Sequence, residues 1–317
     1  YLAITNQTEA AILQYNQLID ADPYNASYWV GLAKCYFVLE NSEKVIEACD
    51  FALAANEKFG EAYAYRAHSY FCLNNCDAAI ADYQKAIEYK AIAPEVGNMF
   101  IGMAYTNKED WKKAAIKWTE SLEPLKKMTN HHDIGFLMYC SFGNAYRLTG
   151  NEAYKDVLVE SARSLCTRFN EKTGCIKSWN YRKSWNGKDE WFYPVIIDNM
   201  MNLELLYFAT KVTGDSVYAK VANRHAETTA KNQFREDYSN YHVVNYDAET
   251  GEVLNQATCQ GFSDNSAWAR GQAWAIYGYT MAYRETHRQD FLDMAVHTAD
   301  FWLNHPNLPE NGIPYWD

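Results

Sequence analysis

The chain has 317 residues, a formal charge of −11 and 48% hydrophobic residues. That length supports a substantial core and either one large domain or two ordinary ones. The acidic balance disfavours nucleic acid and anionic membrane surfaces as partners, and no apolar run approaches the roughly 18 residues a membrane span needs. An anionic substrate would have to be held by local Arg and His. The 10 Trp and 25 Tyr exceed what a monomer needs for its core. Helix packing by large side chains explains most of them, and platforms for stacking sugar rings are the other use. The eight Cys have no disulfide-framework spacing and fit a reducing compartment. His68, Cys72 and Cys76 are ligand types one turn apart, but they stand at a helix end before "NN", which favours packing over a metal. The first residue is Tyr1, without Met or a signal sequence, and reads as the start of a processed or trimmed chain.

The first third repeats itself. Between "YWVGLAKCYFVLENSEKVIEACDFALAAN" and "AYAYRAHSYFCLNNCDAAIADYQKAIEY" the shift is 34 residues, matching Trp29 with Tyr63, Ala33 with Ala67, Tyr36 with Tyr70 and Ala52 with Ala86. A third copy follows at 35, with Gly102, Tyr105 and Ala114 in the corresponding places. Upstream, "AAILQYNQLIDADPYN" matches the second helix of an earlier copy. Small residues let two helices cross closely, and the aromatics fill the gaps between hairpins. The array over 1–110 resembles the tetratricopeptide repeat. Such arrays stack into a solenoid whose concave face holds a peptide or another protein, so a protein or peptide partner is expected there. A purely structural extension is the alternative.

From about Lys112 the period stops and the helical pattern continues. "DVLVESARSLCTRF", "IIDNMMNLELLYFATKV", "VYAKVANRHAETTAKNQF", "SAWARGQAWAIYGYTMAYRET" and "FLDMAVHTADFWLNH" each carry a 3.6-residue apolar stripe. Thr-Gly turns, "LTGNEAY" and "VTGDSVY", lie about 64 residues apart, and "ETHRQDF" follows at about 72. This spacing predicts antiparallel helix pairs repeated around a ring. Two stretches differ. "SNYHVVNYDAETGEVLNQATCQGF" alternates and reads as a hairpin. "NEKTGCIKSWNYRKSWNGKDEWFYP" is a long loop with three Trp, a length that is usually functional when ordered.

Within "YPVIIDNMMNLELLYF" (193–208) a lone carboxylate, Asp198, stands on what reads as a buried amphipathic helix. A satisfied core Asp and a functional one are both open on position alone. Four polar clusters are hard to explain as packing together: "NHHDIGF", "IIDNMMN", "FREDYSNYHVV" and "CQGFSDNSAWARGQAW". Singly, each has a plain explanation. Asp133 can cap a helix, Arg270 can pair with a neighbouring helix, and His242 can be a satisfied core histidine.

From about Trp111 to Asp317 the chain resembles the unsaturated glucuronyl hydrolases, glycoside hydrolase family 88. The residues that carry the resemblance are "HHDIGF", "YPVIIDNMMNLELL", "HAETT", "YHVVNYDAETGE", "QGFSDNSAWARGQAWAIYG" and "NLPENGIPYWD", in the family's order. The resemblance implies an all-α architecture: a tetratricopeptide-like helical-hairpin solenoid over 1–110, joined to an incomplete (α/α)6 barrel over 111–317. It also implies hydration of the C4–C5 double bond of a non-reducing-end unsaturated uronic acid, in oligosaccharides left by a lyase. By resemblance the acid/base is Asp198, with Asp133 assisting. His132, His242, Gln260, Trp268, Arg270 and Trp274 fall at substrate-site positions, with Trp185 as the stacking Trp of the long loop. An acid working near neutral pH must keep its proton there. Burial and a second carboxylate nearby both raise an Asp, while a tightly paired cation would undo that, so Arg270 belongs facing the substrate.

A paired-carboxylate glycosidase of the ordinary kind is the chemical rival. A non-catalytic repeat scaffold with an inert barrel segment is the other alternative. No metal or nucleotide cofactor is implied, because proton transfer by Asp needs neither. The family barrel normally begins with a further helix and continues past "IPYWD", so a fragment, a fusion and a chimera are all consistent with the sequence. A bacterial cytoplasmic or periplasmic location is expected.

Overall fold

The computed structural model describes residues 2–184 and 187–317, with side chains from residue 7 onward. It divides into two compact units, Tyr1–Pro124 and Leu125–Asp317. The sequence reading ends the repeats at 110. The structure carries the first unit on to Pro124, because the helix Trp111–Ser121 packs along Pro94–Asn107 as the second arm of the third hairpin.

In the first unit α1 (Leu2–Ala21) is followed by three hairpins: α2 (Ala26–Val38) with α3 (Ser42–Ala55), α4 (Gly60–Cys72) with α5 (Cys76–Glu88), and α6 (Pro94–Asn107) with α7 (Trp111–Ser121). The hairpin turns repeat with the sequence period. Glu40, Asn74 and Glu109 hold left-handed backbone, with φ of 56°, 57° and 58°. The next residue in each case, Asn41, Asn75 or Asp110, accepts the N–H three residues on and so caps the second helix. Ala33, Ala67, Ala52 and Ala86 are fully buried where the helices cross. Trp29 Nε1 donates to the Pro23 carbonyl, and Tyr63 OH does the same to Glu57 one period later.

Arg66 ties two hairpins together, reaching Asp82 through Nε (2.6 Å) and Nη2 (2.9 Å) and Asp50 through Nη1 (2.5 Å). Asp82 is only 6% exposed. Arg66→Ala would strand that carboxylate, and the expected cost is about 3 kcal/mol, read as a lower urea midpoint for the unit. His68, Cys72 and Cys76 form no ligand cluster among the described residues. His68 Nδ1 lies 3.4 Å from Tyr83 OH, and Cys76 Sγ contacts Asn74.

The second unit is built on three helix pairs. The first helix of the first pair runs as α8 (Ile134–Met138), a π turn (Tyr139–Gly143) and α9 (Asn144–Thr149), and its partner is α10 (Glu152–Cys166). Then come α11 (Leu203–Thr213) with α12 (Val217–Asn232), and α13 (Ala269–Thr286) with α14 (Gln289–Leu303). The leading helices α8, α11 and α13 touch in succession, and α10 meets α12 behind them, giving an inner and an outer layer. One turn design closes all three pairs. Thr149, Thr213 and Thr286 bond back to the carbonyl four residues earlier, and each hydroxyl accepts the N–H two residues on. The residue between is left-handed: Gly150, Gly214 and, in the third turn, His287.

Among the described residues, seven short strands lie between the helices. β1 (Phe169–Asn170) pairs with β2 (Cys175–Ile176), and β3 (Arg182–Lys183) with β4 (Glu190–Trp191). The third sheet has the order β5 (Pro194–Ile196), β6 (Val243–Tyr246), β7 (Val253–Ala257), all antiparallel. The β6–β7 pair is the hairpin expected from the alternating pattern. The stretch around Asp198 corrects the sequence reading. Val195 and Ile196 pair with β6, residues 197–202 form a 3-10 helix, and the α-helix starts only at Leu203. A short apolar run rich in β-branched residues, with Pro194 at its head, suits a fully buried strand as well as a helix, and β6 decides between them.

Candidate active site

Asp198 enters the first turn of the 3-10 helix straight from β5, and the Ile197 N–H donates to the His242 carbonyl at 3.0 Å. It is 8% exposed and borders a cleft of about 680 Å3. His132, Asp133, Gln260, Arg270 and Trp274 border the same cleft, with Trp179, Arg182, Phe136 and Met201. Six of the residues named from sequence therefore meet in one place. His242 and Trp268, 2% and 4% exposed, stand in the buried wall behind it, their rings 4.5 Å apart. Trp185 lies outside the described residues.

A ladder of buried amides joins the two aspartate segments. Asn202 Oδ1 accepts the Phe136 N–H at 2.8 Å, and Asn202 Nδ2 donates to Asn199 Oδ1. Asn199 Nδ2 in turn reaches the Ile176 carbonyl and Ser178 Oγ. Gly135 permits this approach, since a Cβ there would sit 2.6 Å from Asn202 Cβ. Arg168 donates to the carbonyls of Lys177, Ser178 and Thr129 and to Asn180 Oδ1, which fixes the loop around Trp179. Asn199 and Asn202 stand within "IIDNMMN", which carried no role for them from sequence, and Trp179 is a Trp of the long loop that borders the cleft. No local pattern separates the loop's Trp residues, whereas the polar pair at i and i+3 in an apolar run was a usable signal. Asn202→Ala would leave the Phe136 N–H and Asn199 Oδ1 short of a partner, costing about 1–3 kcal/mol. The loss is expected as a lower melting temperature with the cleft chemistry impaired.

Burial pushes the Asp198 carboxyl up to about 6; His132 and Arg270 pull it down, and Asp133 adds a small upward push. Burial would also raise Asp133, but the His132 hydrogen bond and the His132 and His131 charges outweigh it and hold Asp133 below the usual range. His132 Nε2 and His131 Nδ1 lie 2.9 and 3.2 Å from the Asp133 oxygens. The two carboxyls are thus driven apart, one toward the acid form and one toward the anion. Burial pulls His242 down to about 3, so its ring is neutral.

The ligand atoms of His131, His132 and Asp133 lie within 4.8 Å of one another. The direct His–Asp contacts account for that closeness. Arg270 donates to Gln260 Oε1 and lies 4.5 Å over the Trp268 ring, and Arg182 lies 4.5 Å over Trp179. Neither guanidinium forms an ion pair with a carboxylate among the described residues, so the cleft keeps two uncompensated cations. Arg270 faces the cleft, as the acid requires.

No protein-family model matches the chain. The unsaturated glucuronyl hydrolase of Formosa agariphila is 50% identical over 222 residues, covering 70% of this chain and 54% of that protein. The unsaturated chondroitin disaccharide hydrolase of Streptococcus pneumoniae is 34% identical over 224 residues, 70% of this chain and 55% of that one. A crystal structure of an unsaturated glucuronyl hydrolase specific for heparin superposes with a TM-score of 0.61 at 44% identity, covering 69% of this chain and 59% of that one. The chain thus spans about half the length of the curated relatives it matches. Over this matched share, the chain is similar in sequence and in fold to the unsaturated glucuronyl hydrolases.

Proposed function

We propose that the second unit hydrates the C4–C5 double bond of an unsaturated uronic acid at the non-reducing end of an oligosaccharide. The observation that carries this is Asp198, a buried carboxyl raised to about 6, in a cleft that also holds uncompensated Arg182 and Arg270. The uronate carboxylate and ring hydroxyls meet the guanidiniums, and Trp179 and Trp274 offer faces and edges to the ring. Asp198 gives its proton to C4, and the positive charge on C5 is shared with the ring oxygen. The carboxylate then takes a proton from a water whose oxygen bonds to C5. The hemiketal opens with C5 becoming a ketone, and the hemiacetal left at C1 releases the next sugar as its alcohol. Asp133, held anionic by its histidines, is placed to accept a ring hydroxyl and steady the developing charge.

The test pairs an unsaturated glucuronyl disaccharide with its saturated counterpart. Consumption of the unsaturated sugar alone supports the reading. Cleavage of both at similar rates points to an ordinary paired-carboxylate glycosidase, and consumption of neither leaves the unit inert.

For the first unit we propose a peptide partner, in the hollow of about 540 Å3 lined by Phe37, Val45, His68 and Cys72. Protection of these residues from hydrogen exchange by a captured peptide would support it, and protection confined to other faces would contradict it.

A further inference from the structure

One buried histidine, His132, borders the cleft and another, His242, stands in the wall behind it, and the backbone fixes their rings in opposite senses. His132 Nδ1 lies 3.1 Å from the Ser178 carbonyl oxygen, an acceptor, so that nitrogen carries a proton. His242 Nδ1 instead receives two backbone N–H groups, from Cys259 at 3.0 Å and Gln260 at 3.2 Å. That nitrogen is therefore bare, and the neutral ring keeps its proton on Nε2. Nε2 points at Asp198 Oδ2 from 3.6 Å, and among the described residues neither atom has another hydrogen-bond partner. The separation is slightly beyond hydrogen-bond length, as contacts in unliganded sites often are.

We propose that His242 is a positioning residue: two backbone amides lock its neutral ring as the Nε2–H tautomer, and that N–H holds Oδ2 of Asp198, leaving Oδ1 to carry and deliver the proton. The tautomer stands on the local geometry alone, and the delivery clause rests on the hydration reading above. Protonating Nδ1 would break the hydrogen bonds it accepts from both backbone N–H groups, on a side chain with no exposed surface. Trp268, 4.5 Å away, and Trp179, at 6.3 Å, wall the ring from water. The consequence for Asp198 is specific. A cation at Nε2 would draw the carboxyl far down and spoil it as an acid, whereas a neutral N–H steadies the carboxylate formed after proton transfer and lowers the carboxyl less. His132 shows the opposite arrangement. With its proton fixed on Nδ1, its Nε2 lies 2.9 Å from Asp133 Oδ1. One carbonyl against two amides thus gives the two rings different work.

The experiment uses the full chain labelled with 15N-histidine, with the His242 signals identified by their loss in His242→Gln. From pH 5 to 8 an unprotonated Nδ1, a protonated Nε2 and no titration are expected. An Nδ1–H tautomer, or an imidazolium in that range, would overturn the proposal. A second reading follows the Asp198 carboxyl by 13C NMR in His242→Gln and His242→Leu. The charged groups facing this pair, Asp133, His132, Arg270 and Arg182, are the same in both variants. Leu removes the donor, so the Asp198 midpoint should rise by about one unit, a tenfold change in proton affinity. Gln, whose amide can donate from the same side, should shift it by less than half as much. Equal shifts in the two variants, or none, would contradict the proposal. Both readouts follow protons rather than turnover, so they separate this inference from the fate of the hydration reading.

Discussion

Asp198→Asn is expected to lower the turnover of an unsaturated glucuronyl disaccharide by about 10³-fold or more, the loss associated with removing a positioned general acid. The asparagine keeps the shape of the side chain but has no proton to give to C4 and no basic oxygen to take one from water. Substrate affinity should change little, because the cations and aromatic faces that border the cleft are untouched. Initial rates across a substrate series would separate the two effects, with kcat falling and KM nearly constant. A variant that loses affinity and keeps its turnover would place Asp198 among binding groups and remove it from the chemistry.

The same substitution should stabilise the fold at alkaline pH. The folded-state value of about 6 lies above the ordinary 3.8, so the folded chain holds this proton more tightly than the unfolded one. The resulting stability is full below the unfolded value and is lost as pH rises through about 6. Above that, the buried carboxylate costs on the order of 3 kcal/mol, from about two units at 1.36 kcal/mol each. Asparagine has nothing to ionise. Asp198→Asn should therefore match the parent near pH 4 and exceed its melting temperature at pH 8, while the parent's kcat/KM declines above pH 6 as the acid form empties. Equal melting temperatures at both pH values would mean that the carboxyl is not raised, and the acid role would lose its physical basis.

What the sequence shows and what it hides differ in kind. The repeat array was legible because its helix crossings need small residues and the gaps between hairpins take aromatics, both written every 34 or 35 positions. The Thr-Gly turns of the second unit were legible as a local pattern too. The third, Thr286-His287-Arg288, was placed by its spacing and not by a Thr-Gly pair, because His replaces Gly, and its hydrogen bonds show the same turn. Asp198 was singled out correctly as a buried carboxylate but set on a helix. Whether Val195 and Ile196 pair with β6 depends on a segment about 50 residues away, which no local pattern reports.

The site residues showed as polar groups at odds with their surroundings, and most converge on one cleft. Their ordering into a front and a back was not legible. Nothing in "FREDYSNYHVV" says that His242 stands behind Asp198 with its Nδ1 against two amides. Nor does "NSAWAR" say that Trp268 is the buried floor under Arg270. The Asn199–Asn202 ladder joins segments 66 residues apart, and only folding brings them together.

The most direct test of the hydration chemistry follows the first turnovers of an unsaturated glucuronyl disaccharide in heavy water by NMR. The account expects the vinyl proton signal at C4 to vanish no later than the sugar is released, with one deuterium delivered to one face of C4, and no reaction with Asp198→Asn. Release of the sugar while the vinyl signal persists would mean direct attack on the acetal, and would contradict double-bond hydration by this cleft.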